Sequence, residues 1–374
     1  MSSNALSQGQ LLIDRYRIES YLNQGGMQEV YLCTDTKLQR KAVIKTPKGG
    51  VADKRFQRGA EMSARINHHN IAATLDYFEI GAHTFMVEEL IEGLDLAKRL
   101  STEFEVLDPA LAAHVIHNIA RALQEAHSRQ ICHRDLKPSN IMVSADPAMT
   151  ILKLTDFGIA KLAENEIAAE MSEFERDEST LTNSNTLLGA IPYMAPEAWS
   201  NWRGAGQPLD IWSLGCIAYQ LVTGKLPFGS GRPAIMAVAR LETTRKVSLS
   251  KPPLFGRSPA RATLESHIWK IILDCIKVDP EERPTALEIL NECGSWCYNV
   301  ADRKIGTITS YGASYSSGGK GKTGKIVDSQ DSTQYFYHLS EYYATALPKI
   351  GTKVSVGVYP GDPWPRASPV LPFK

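Results

Sequence analysis

Four polar residues at fixed spacing near the middle of the chain could carry a phosphoryl-transfer reaction. In the segment HRDLKPSN, residues 133–140, Asp135 could accept a proton from an incoming hydroxyl group and Lys137 could neutralise charge on a transferring phosphoryl group. Asn140 and Asp156, the latter in an Asp-Phe-Gly triplet, offer oxygen atoms that could hold Mg²⁺. Transfer of phosphate from ATP to an alcohol depends mainly on such positioning and electrostatics. The alternative is a coincidental polar loop, which eight residues in this order disfavour.

The composition is that of an ordinary globular protein, and 374 residues are enough for two or three domains. Lysine plus arginine and aspartate plus glutamate are equal at 41 each, so charge indicates no general bias towards nucleic acid or an acidic membrane. The sequence has no apolar run of about 20 residues and no signal-peptide pattern, so it predicts no membrane association. Six scattered cysteines without a CxxC pair predict reduced thiols in a cytoplasmic protein.

The pattern of residues divides the chain into regions that must position these groups. Residues 1–10 are polar and predict a flexible tail. Residues 11–92 read as short strands around a helix, and helical patterns dominate residues 93–300. An acidic, Ser/Thr-rich stretch at 163–186 has little to bury and predicts a mobile loop. Residues 304–374, with Gly and Pro between short alternating segments, predict a small all-β module.

With these motifs in place, residues 11–300 resemble the eukaryotic-like (Hanks-type) Ser/Thr protein kinase family, and the segments GGM (residues 25–27) and INHHNI (residues 66–71) resemble its bacterial members. The resemblance implies an α+β, bilobal protein kinase fold with a small β-rich N-lobe and a large helical C-lobe, and an activation segment at 156–197. It also implies a buried ion pair between Glu197 and Arg283, and it places Asp210 beneath the catalytic loop. Further matching motifs are Ala195-Pro196-Glu197, residues 210–215 (DIWSLG) and Arg283-Pro284-Thr285.

The same resemblance implies that ATP and Mg²⁺ are the cofactors and that a protein is the substrate. Asp135 is then the catalytic base, Lys137 stabilises the transferring phosphoryl group, and Lys45 is the catalytic lysine that holds the α- and β-phosphates. Asn140 and Asp156 are the expected metal ligands. The residues expected to bind ATP are Gly25, Gly26, Val30, Lys45, Glu88, Glu89, Ile91 and Asn140, with the backbone of Glu89 and Ile91 receiving adenine.

The loop that should cover the phosphates departs from the family pattern GxGxxG. Only the middle glycine remains, as Gly25 with Gly26 beside it, while Asn23 and Gln28 stand at the outer positions. Glycine matters there because backbone N–H groups must approach the phosphates without a Cβ in the way. We therefore expect a stiffer or shifted loop and weaker ATP binding.

A second departure removes the usual partner of Lys45. The helix glutamate of the family falls at Gly59, and Glu61 lies about 200° further around the helix. Alignment on the family's hinge places Glu88 at the gatekeeper position, near Lys45, where an unpaired carboxylate would be expensive to bury. We hypothesise that Glu88 pairs with Lys45 in place of the missing helix glutamate. The alternative is a one-residue slip in the alignment, with Glu61 serving after all or Glu88 turned outward.

The activation segment leaves two interpretations open. Arg134 stands where the family binds an activation-loop phosphate, which favours autophosphorylation, but the acidic residues of the loop could occupy the same basic pocket. Ala190 replaces the threonine that ties this segment to the catalytic residues, so substrate positioning is less certain. The candidate phosphorylation sites are Ser172, Ser179, Thr180, Thr182, Ser184 and Thr186.

The C-terminal region resembles the cold-shock family more faintly. Residues 335–340 (YFYHLS) and 365–370 (PRASPV) match its second RNA-binding motif and its closing strand, which implies an OB-like β-barrel over residues 304–374. Phe336 and His338 match positions that stack on bases, but the segment KTGKIV lacks both aromatics of the first motif. The partners left open are single-stranded nucleic acid, another protein, the kinase itself and, for the whole chain, a second copy in a homodimer.

For the whole chain, the competing class is a pseudokinase that serves as a scaffold or nucleotide sensor. The replacements at Gln28, Gly59 and Ala190 favour that class. The intact residues that touch metal, phosphoryl group or proton favour an enzyme.

Overall fold

The structure is a computed structural model that describes residues 5–24, 28–48, 54–157, 189–200, 204–301, 303–313, 321–362 and 364–374. A β-rich small lobe is followed by a helical large lobe and a closed β-barrel. This order confirms the predicted bilobal α+β architecture with a C-terminal barrel. Within the described ranges, no helix is both long enough and apolar enough to cross a lipid bilayer.

The small lobe is built on β1 (Leu11–Leu12), β2 (Tyr16–Gln24), β3 (Gln28–Asp35), β4 (Arg40–Pro47), β5 (Thr74–Ile80) and β6 (His83–Glu89). These strands pair antiparallel in the order β1-β2-β3-β4-β6-β5. Along β3 every second side chain is buried, including Tyr31 and Cys33, because one face of the sheet covers the core. Helix α1 (Lys54–Ala64) packs on β5 and β6, where Phe56 meets Met86.

Residues 5–10 pack on this sheet, so the prediction of a flexible tail was wrong for them. Leu6 is buried in the core of the small lobe, and its backbone N–H donates to the Tyr31 hydroxyl at 3.3 Å. The backbone N–H of Gly9 donates to the carbonyl of Ile18 at 2.8 Å. The polar composition of this segment gave no sign that Leu6 would be buried. Burial of one leucine side chain contributes about 1.5–3 kcal/mol to the free energy of folding.

Helices and a small sheet make up the described part of the large lobe. The helices are α2 (Leu96–Thr102), α3 (Pro109–Ser128), α4 (Pro196–Ser200), α5 (Pro208–Thr223), α6 (Gly231–Thr244), α7 (Ala262–Cys275) and α8 (Ala286–Gly294). The strands β7 (Gly93–Asp95), β8 (Ile141–Ser144) and β9 (Leu152–Leu154) form a sheet in that order. Strand β8 begins directly after Asn140, and β9 ends two residues before Asp156, so this sheet positions both of these residues.

Helices α3 and α5 form the centre of the large-lobe core. Helix α3 begins after Asp108, whose carboxylate accepts from the backbone N–H of Ala110, and Pro109 fits the first helical position because its missing N–H has no helical partner there. Helix α5 is buried along almost its whole length and ends at Gly224, whose φ of 68° is left-handed. A Cβ on Gly224 would lie 2.7 Å from the carbonyl oxygen of Glu105, so glycine is required there by both conformation and space.

The C-terminal region is a closed five-stranded barrel, as predicted. Its strands are β10 (Lys304–Ala313), β11 (Thr323–Asp328), β12 (Gln334–His338), β13 (Lys353–Tyr359) and β14 (Arg366–Pro372). They follow one another in the order β10-β11-β12-β14-β13, and pairing of β10 with β13 closes the barrel. Side chains alternate along β11, so that Ile326 lies inside while Lys325 faces outwards.

The barrel packs on the large lobe through buried polar contacts. Arg303, just before β10, has its guanidinium 2.8 Å from the carboxylate of Asp108 at the start of α3, and both side chains are almost fully buried. The hydroxyl of Tyr343 donates to the carboxylate of Glu265 on α7 at 3.0 Å. Packing of the barrel on the large lobe, one of the arrangements that the sequence left open, is therefore observed.

Candidate active site

Lys45 is held between two carboxylates where the small and large lobes meet. Its Nζ lies 2.6 Å from Oε2 of Glu88 and 2.9 Å from Oδ1 of Asp156. In the ladder between β4 and β6, Val43 pairs with Glu88 and Lys45 pairs with Met86. Glu88 and Lys45 therefore project from the same face as diagonal neighbours. The hypothesis that Glu88 replaces the missing helix glutamate as the partner of Lys45 is confirmed.

Helix α1 does not provide a partner for Lys45 from Gly59 or Glu61. Glu61 is exposed, and its Oε1 accepts a hydrogen bond from Nε2 of Gln57 at 3.0 Å on the same helix. Gly59 is buried and has no side chain to offer. The alternative in which Glu61 serves is therefore wrong, as is the alternative in which Glu88 turns outward.

Burial and mutual charge shift the pKa values of all three groups. Burial alone would lower the pKa of Lys45, but the charges of Asp156 and Glu88 outweigh it and raise that pKa above its usual value. Burial raises the pKa of Glu88 in spite of the neighbouring ammonium. Burial also opposes ionisation of Asp156, yet the charge of Lys45 and hydrogen bonds to the ionised form lower its pKa to about 2. Asp156 is thus the carboxylate of the pair that stays ionised most readily.

Gln28 reaches Asp156 from the start of β3. Its Nε2 donates to Oδ1 of Asp156 at 2.7 Å, and Oδ2 of the same carboxylate accepts from the hydroxyl of Thr155 at 3.2 Å. Oε1 of Gln28 is buried and has no hydrogen-bond partner among the described residues. The sequence had marked Gln28 only as a costly replacement for glycine, and this contact was missed. The sequence did contain one sign of this contact. Gln28 has a long amide side chain and stands in the loop that, by the family resemblance, should cover the phosphates.

A second group of residues surrounds Asp135. Nζ of Lys137 lies 2.8 Å from Oδ2 of Asp135, and Nδ2 of Asn140 donates to the same oxygen at 3.1 Å and to the backbone carbonyl of Asp135 at 2.8 Å. The carbonyl oxygen of Asn140 accepts from the backbone N–H of Thr155 at 3.0 Å. This bond keeps Asn140 beside Asp156, the residue that follows Thr155.

Asp210 supports this loop from below, as predicted. Its carboxylate accepts from the backbone N–H groups of His133 and Arg134, each at 2.8 Å, and lies 2.8 Å from Nε2 of His127. Arg134 and Asp156 both have left-handed backbone conformations, with φ of 67° and 63°. Such strained positions outside glycine persist only where surrounding contacts enforce them, and they concentrate at functional sites.

The predicted ion pair between Glu197 and Arg283 is also confirmed. The guanidinium binds both oxygens of the carboxylate, at 2.6 and 2.8 Å, and stacks 4.9 Å from the ring centre of Trp212. This bidentate pair ties α4 to the segment before α8 and has a structural role.

The structure describes only some of the other residues that were predicted to bind ATP. Val30 pairs in register with Lys45 across β3 and β4. The carboxylate of Glu89 lies 2.5 Å from Nζ of Lys153, and its backbone N–H donates to the carbonyl of Ala73 at 3.0 Å. Ile91 is half-buried just beyond β6. Outside the described residues lie Gly25, Gly26, Ser172, Ser179, Thr180, Thr182, Ser184 and Thr186.

The donors at this site suit a hard divalent cation and a phosphorylated ligand. Asn140 carries an amide oxygen and Asp156 a carboxylate, and the backbone hydrogen bond from Thr155 to Asn140 links their two segments. Oxygen atoms of these two kinds are ligands that Mg²⁺ prefers. The buried Oε1 of Gln28, which has no hydrogen-bond partner in the described part of the chain, adds a polar atom that a ligand could satisfy. Lys45 on one lobe and Lys137 on the other supply positive charge, and the donor set therefore fits a metal-bound nucleotide.

Comparison with known proteins identifies the same residues as a recognised domain. Residues 16–293 match the family model described as "Protein kinase domain". A probable serine/threonine-protein kinase of Clostridium acetobutylicum is 32% identical over 294 residues, which are 76% of this chain and 40% of that protein. A probable serine/threonine-protein kinase PknB of Corynebacterium glutamicum is 29% identical over 300 residues, or 78% of this chain and 43% of its relative.

Among solved structures, the crystal structure of Rad53 1-466 in complex with AMP-PNP superposes with a TM-score of 0.55. It is 24% identical, and the match covers 74% of this chain and 64% of that one. This likeness shows the fold. The chain spans less than half the length of the two bacterial relatives.

Proposed function

Because the chain belongs to the protein kinase family, we propose that it is a serine/threonine-protein kinase that transfers the γ-phosphoryl group of ATP to hydroxyl groups of a protein substrate. The observation that carries this proposal is that Lys137 and Asn140 both contact Asp135, at 2.8–3.1 Å, while Lys45 contacts Asp156. The names of the bacterial relatives support the hydroxyl class of the acceptor.

In this proposal, each residue has one role. Asp135 orients the acceptor hydroxyl group and receives its proton, while Lys137 stabilises charge on the transferring group. Lys45 binds the α- and β-phosphates and is itself oriented by Glu88. The carbonyl of Glu89 and the backbone of Ile91 receive adenine, while Val30, Gly25 and Gly26 cover the nucleotide from β3 and the loop before it.

Magnesium is part of the proposal, with Asn140 and Asp156 as its ligands. When bound, Mg²⁺ neutralises charge on the nucleotide phosphates. Its fit rests on the oxygen chemistry of the Asn140 and Asp156 side chains and on the backbone hydrogen bond from Thr155 to Asn140 that links their segments. The low pKa of Asp156 keeps that carboxylate in its ionised, cation-binding form.

Autophosphorylation tests the proposed activity. The purified chain is incubated with ATP and Mg²⁺, and incorporated phosphate is mapped by mass spectrometry with attention to residues 158–188. We expect Asp135→Asn to reduce incorporation by at least about 100-fold, because proton acceptance and orientation are lost. Equal incorporation in both proteins, or none in either with an added protein substrate, would favour the pseudokinase alternative.

A second candidate function is suggested by the outer surface of the barrel. Lys325 and Phe336 are cross-strand partners on β11 and β12. Nζ of Lys325 lies 5.4 Å from the ring centre of Trp364, which is 45% exposed, and His338 is exposed beside them. Aromatic rings beside a cation are suited to stacking on the bases of a single-stranded nucleic acid. We propose this surface as a site for single-stranded nucleic acid that regulates the kinase.

Fluorescence anisotropy with a labelled single-stranded oligonucleotide tests the barrel surface. Phe336→Ala should weaken binding about fivefold or more, since loss of one stacked base contact costs roughly 1–3 kcal/mol. Ile350→Ala, at an exposed apolar position in the connection before β13, is the control and should bind normally. Binding of a protein partner but no oligonucleotide would leave the alternative that the barrel is a protein-interaction module.

We also propose that the protein works in the cytoplasm, which is supported by six free cysteines among the described residues. Association into a homodimer stays a prediction, and light scattering of the purified chain checks it.

A further inference from the structure

We propose that Gln28 is a positioning residue that holds Asp156 in the nucleotide-free enzyme and must release it before the metal–nucleotide complex can bind. This inference rests on the proposed function, in particular on Asp156 as a ligand for Mg²⁺. It goes beyond that function because it assigns a role to a side chain at a position where the family resemblance implies glycine.

The first support is competition for a single carboxylate. Oδ1 of Asp156 accepts from both Gln28, at 2.7 Å, and Lys45, at 2.9 Å, while Oδ2 accepts from Thr155 at 3.2 Å. A carboxylate offers about four acceptor positions, so protein donors occupy most of them. A cation approaching Asp156 must displace at least one donor. Lys45 is also bound by Glu88, and the Thr155 hydroxyl lies 3.4 Å from the Asn140 carbonyl, whereas among the described residues the Gln28 amide has no second partner.

The second support is that Gln28 is incompletely satisfied in this position. Its Oε1 is buried without a hydrogen-bond partner among the described residues, and an unpartnered buried acceptor is costly. The backbone of Gln28, at the start of β3, is fixed by pairing with Pro47 at the end of β4. Rotation of the side chain alone can therefore break the contact and return Oε1 to solvent or ligand.

The expected consequence is a selective effect on metal-bound nucleotide. Gln28 competes at Asp156, which binds the metal, and not at Lys45 or at the adenine contacts. Removing its amide should therefore strengthen binding of Mg–ATP and leave binding of metal-free ATP unchanged. A merely structural role for Gln28 in the loop would instead weaken both forms together.

Nucleotide dissociation constants measured by calorimetry test this inference directly. All proteins carry Asp135→Asn to prevent turnover, and ATP is titrated once with excess Mg²⁺ and once with EDTA. Gln28→Ala should tighten binding of Mg–ATP by roughly tenfold, the scale of one hydrogen bond to a charged group, without changing the value in EDTA. Gln28→Asn should behave likewise, because the shorter side chain cannot span the present 2.7 Å contact without movement of β3.

Gln57→Ala on α1 is the matched control, since it removes the same amide from a helix position whose partner is the exposed Glu61. It should leave both dissociation constants unchanged. Hydrogen exchange of the nucleotide-free proteins gives a readout without ligand, and Gln28→Ala should speed exchange at the first residues of β3, whereas Gln57→Ala should not.

The outcomes separate the two levels of the proposal. If Mg–ATP binds the parent protein and Gln28→Ala leaves that affinity unchanged or weakens it, the role of Gln28 is refuted while the proposed function stands. If the parent binds no Mg–ATP, the proposed function fails and the role of Gln28 falls with it. Faster exchange across the whole small lobe in Gln28→Ala would show a structural role and would also refute the inference.

Discussion

At the scale of single residues, the site is organised around one ammonium group and two carboxylates. Glu88 and Asp156 approach Lys45 from different lobes, at 2.6 and 2.9 Å. One positive charge cannot fully compensate the negative charges of a buried Glu88 and a half-buried Asp156, and the pKa values of the two carboxyl groups shift in opposite directions. A nucleotide that draws Lys45 towards its phosphates leaves Glu88 as the group that keeps the lysine in place.

We predict that Glu88→Ala reduces kcat/KM for ATP by about tenfold or more, because Lys45 is then oriented by Asp156 alone. Phosphotransfer kinetics over a range of ATP concentrations measure this. Glu61→Ala is the matched control, since Glu61 is exposed on α1 and does not contact Lys45, and it should keep the parent value. The same loss in both variants would contradict the assigned role of Glu88.

Sequence alone could predict the pairing of Lys45 with Glu88 but not the contact of Gln28 with Asp156. The first follows from a missing helix glutamate and an ionisable residue on a neighbouring strand, both visible in the sequence. The second joins residues 128 positions apart in different lobes. Its length depends on how closely the lobes approach and on a side-chain rotamer, neither of which leaves a pattern in the sequence.

At the scale of elements, the partner of Lys45 lies on a strand instead of a helix. Glu88 and Lys45 belong to β6 and β4, which are hydrogen-bonded neighbours in one sheet. A helix can move as a body relative to a sheet, but two paired strands keep their register. Movement of α1 therefore cannot separate Glu88 from Lys45. Any regulation of this ion pair has to act through another part of the molecule.

The end of helix α5 offers a clean test of a packing requirement. Gly224 and Gly229 both have left-handed φ, at 68° and 80°, but only Gly224 would bring a Cβ into contact, 2.7 Å from the Glu105 carbonyl. Gly229→Ala should cost about 1 kcal/mol of unfolding free energy through backbone strain alone. Gly224→Ala should cost roughly 1–3 kcal/mol more because of the clash. Urea denaturation compares them, and equal losses would contradict the assigned contact.

At the scale of the whole molecule, the barrel and the large lobe share buried charges. Asp108 caps α3 and at the same time faces Arg303 from the barrel side at 2.8 Å. Glu265 of α7 accepts from Tyr343, and the rings of Phe104 and Phe373 lie 5.0 Å apart. The strand pattern predicted a small all-β module and the resemblance to the cold-shock family predicted a barrel, but a docking face made of such isolated residues has no recognisable motif.

Arg303→Ala should destabilise the protein by roughly 3–5 kcal/mol, because it leaves Asp108 buried without its charged partner. Thermal and urea unfolding measure the loss. Arg303→Lys keeps the charge but not the forked geometry, so it should lose less stability. Unchanged stability in Arg303→Ala would show that the barrel side contributes little to the helix cap.

The carboxylate of Glu88 has a further consequence for inhibitors directed at the nucleotide pocket. Compounds that place an apolar ring behind adenine need uncharged side chains there. In this protein such a ring would separate the buried ion pair of Glu88 and Lys45 without replacing its contacts. A compound with an amine or amidine at that point would instead add a second positive charge beside the carboxylates of Glu88 and Asp156, which now share the single charge of Lys45. A search for selective compounds should therefore begin from a basic substituent directed at Glu88.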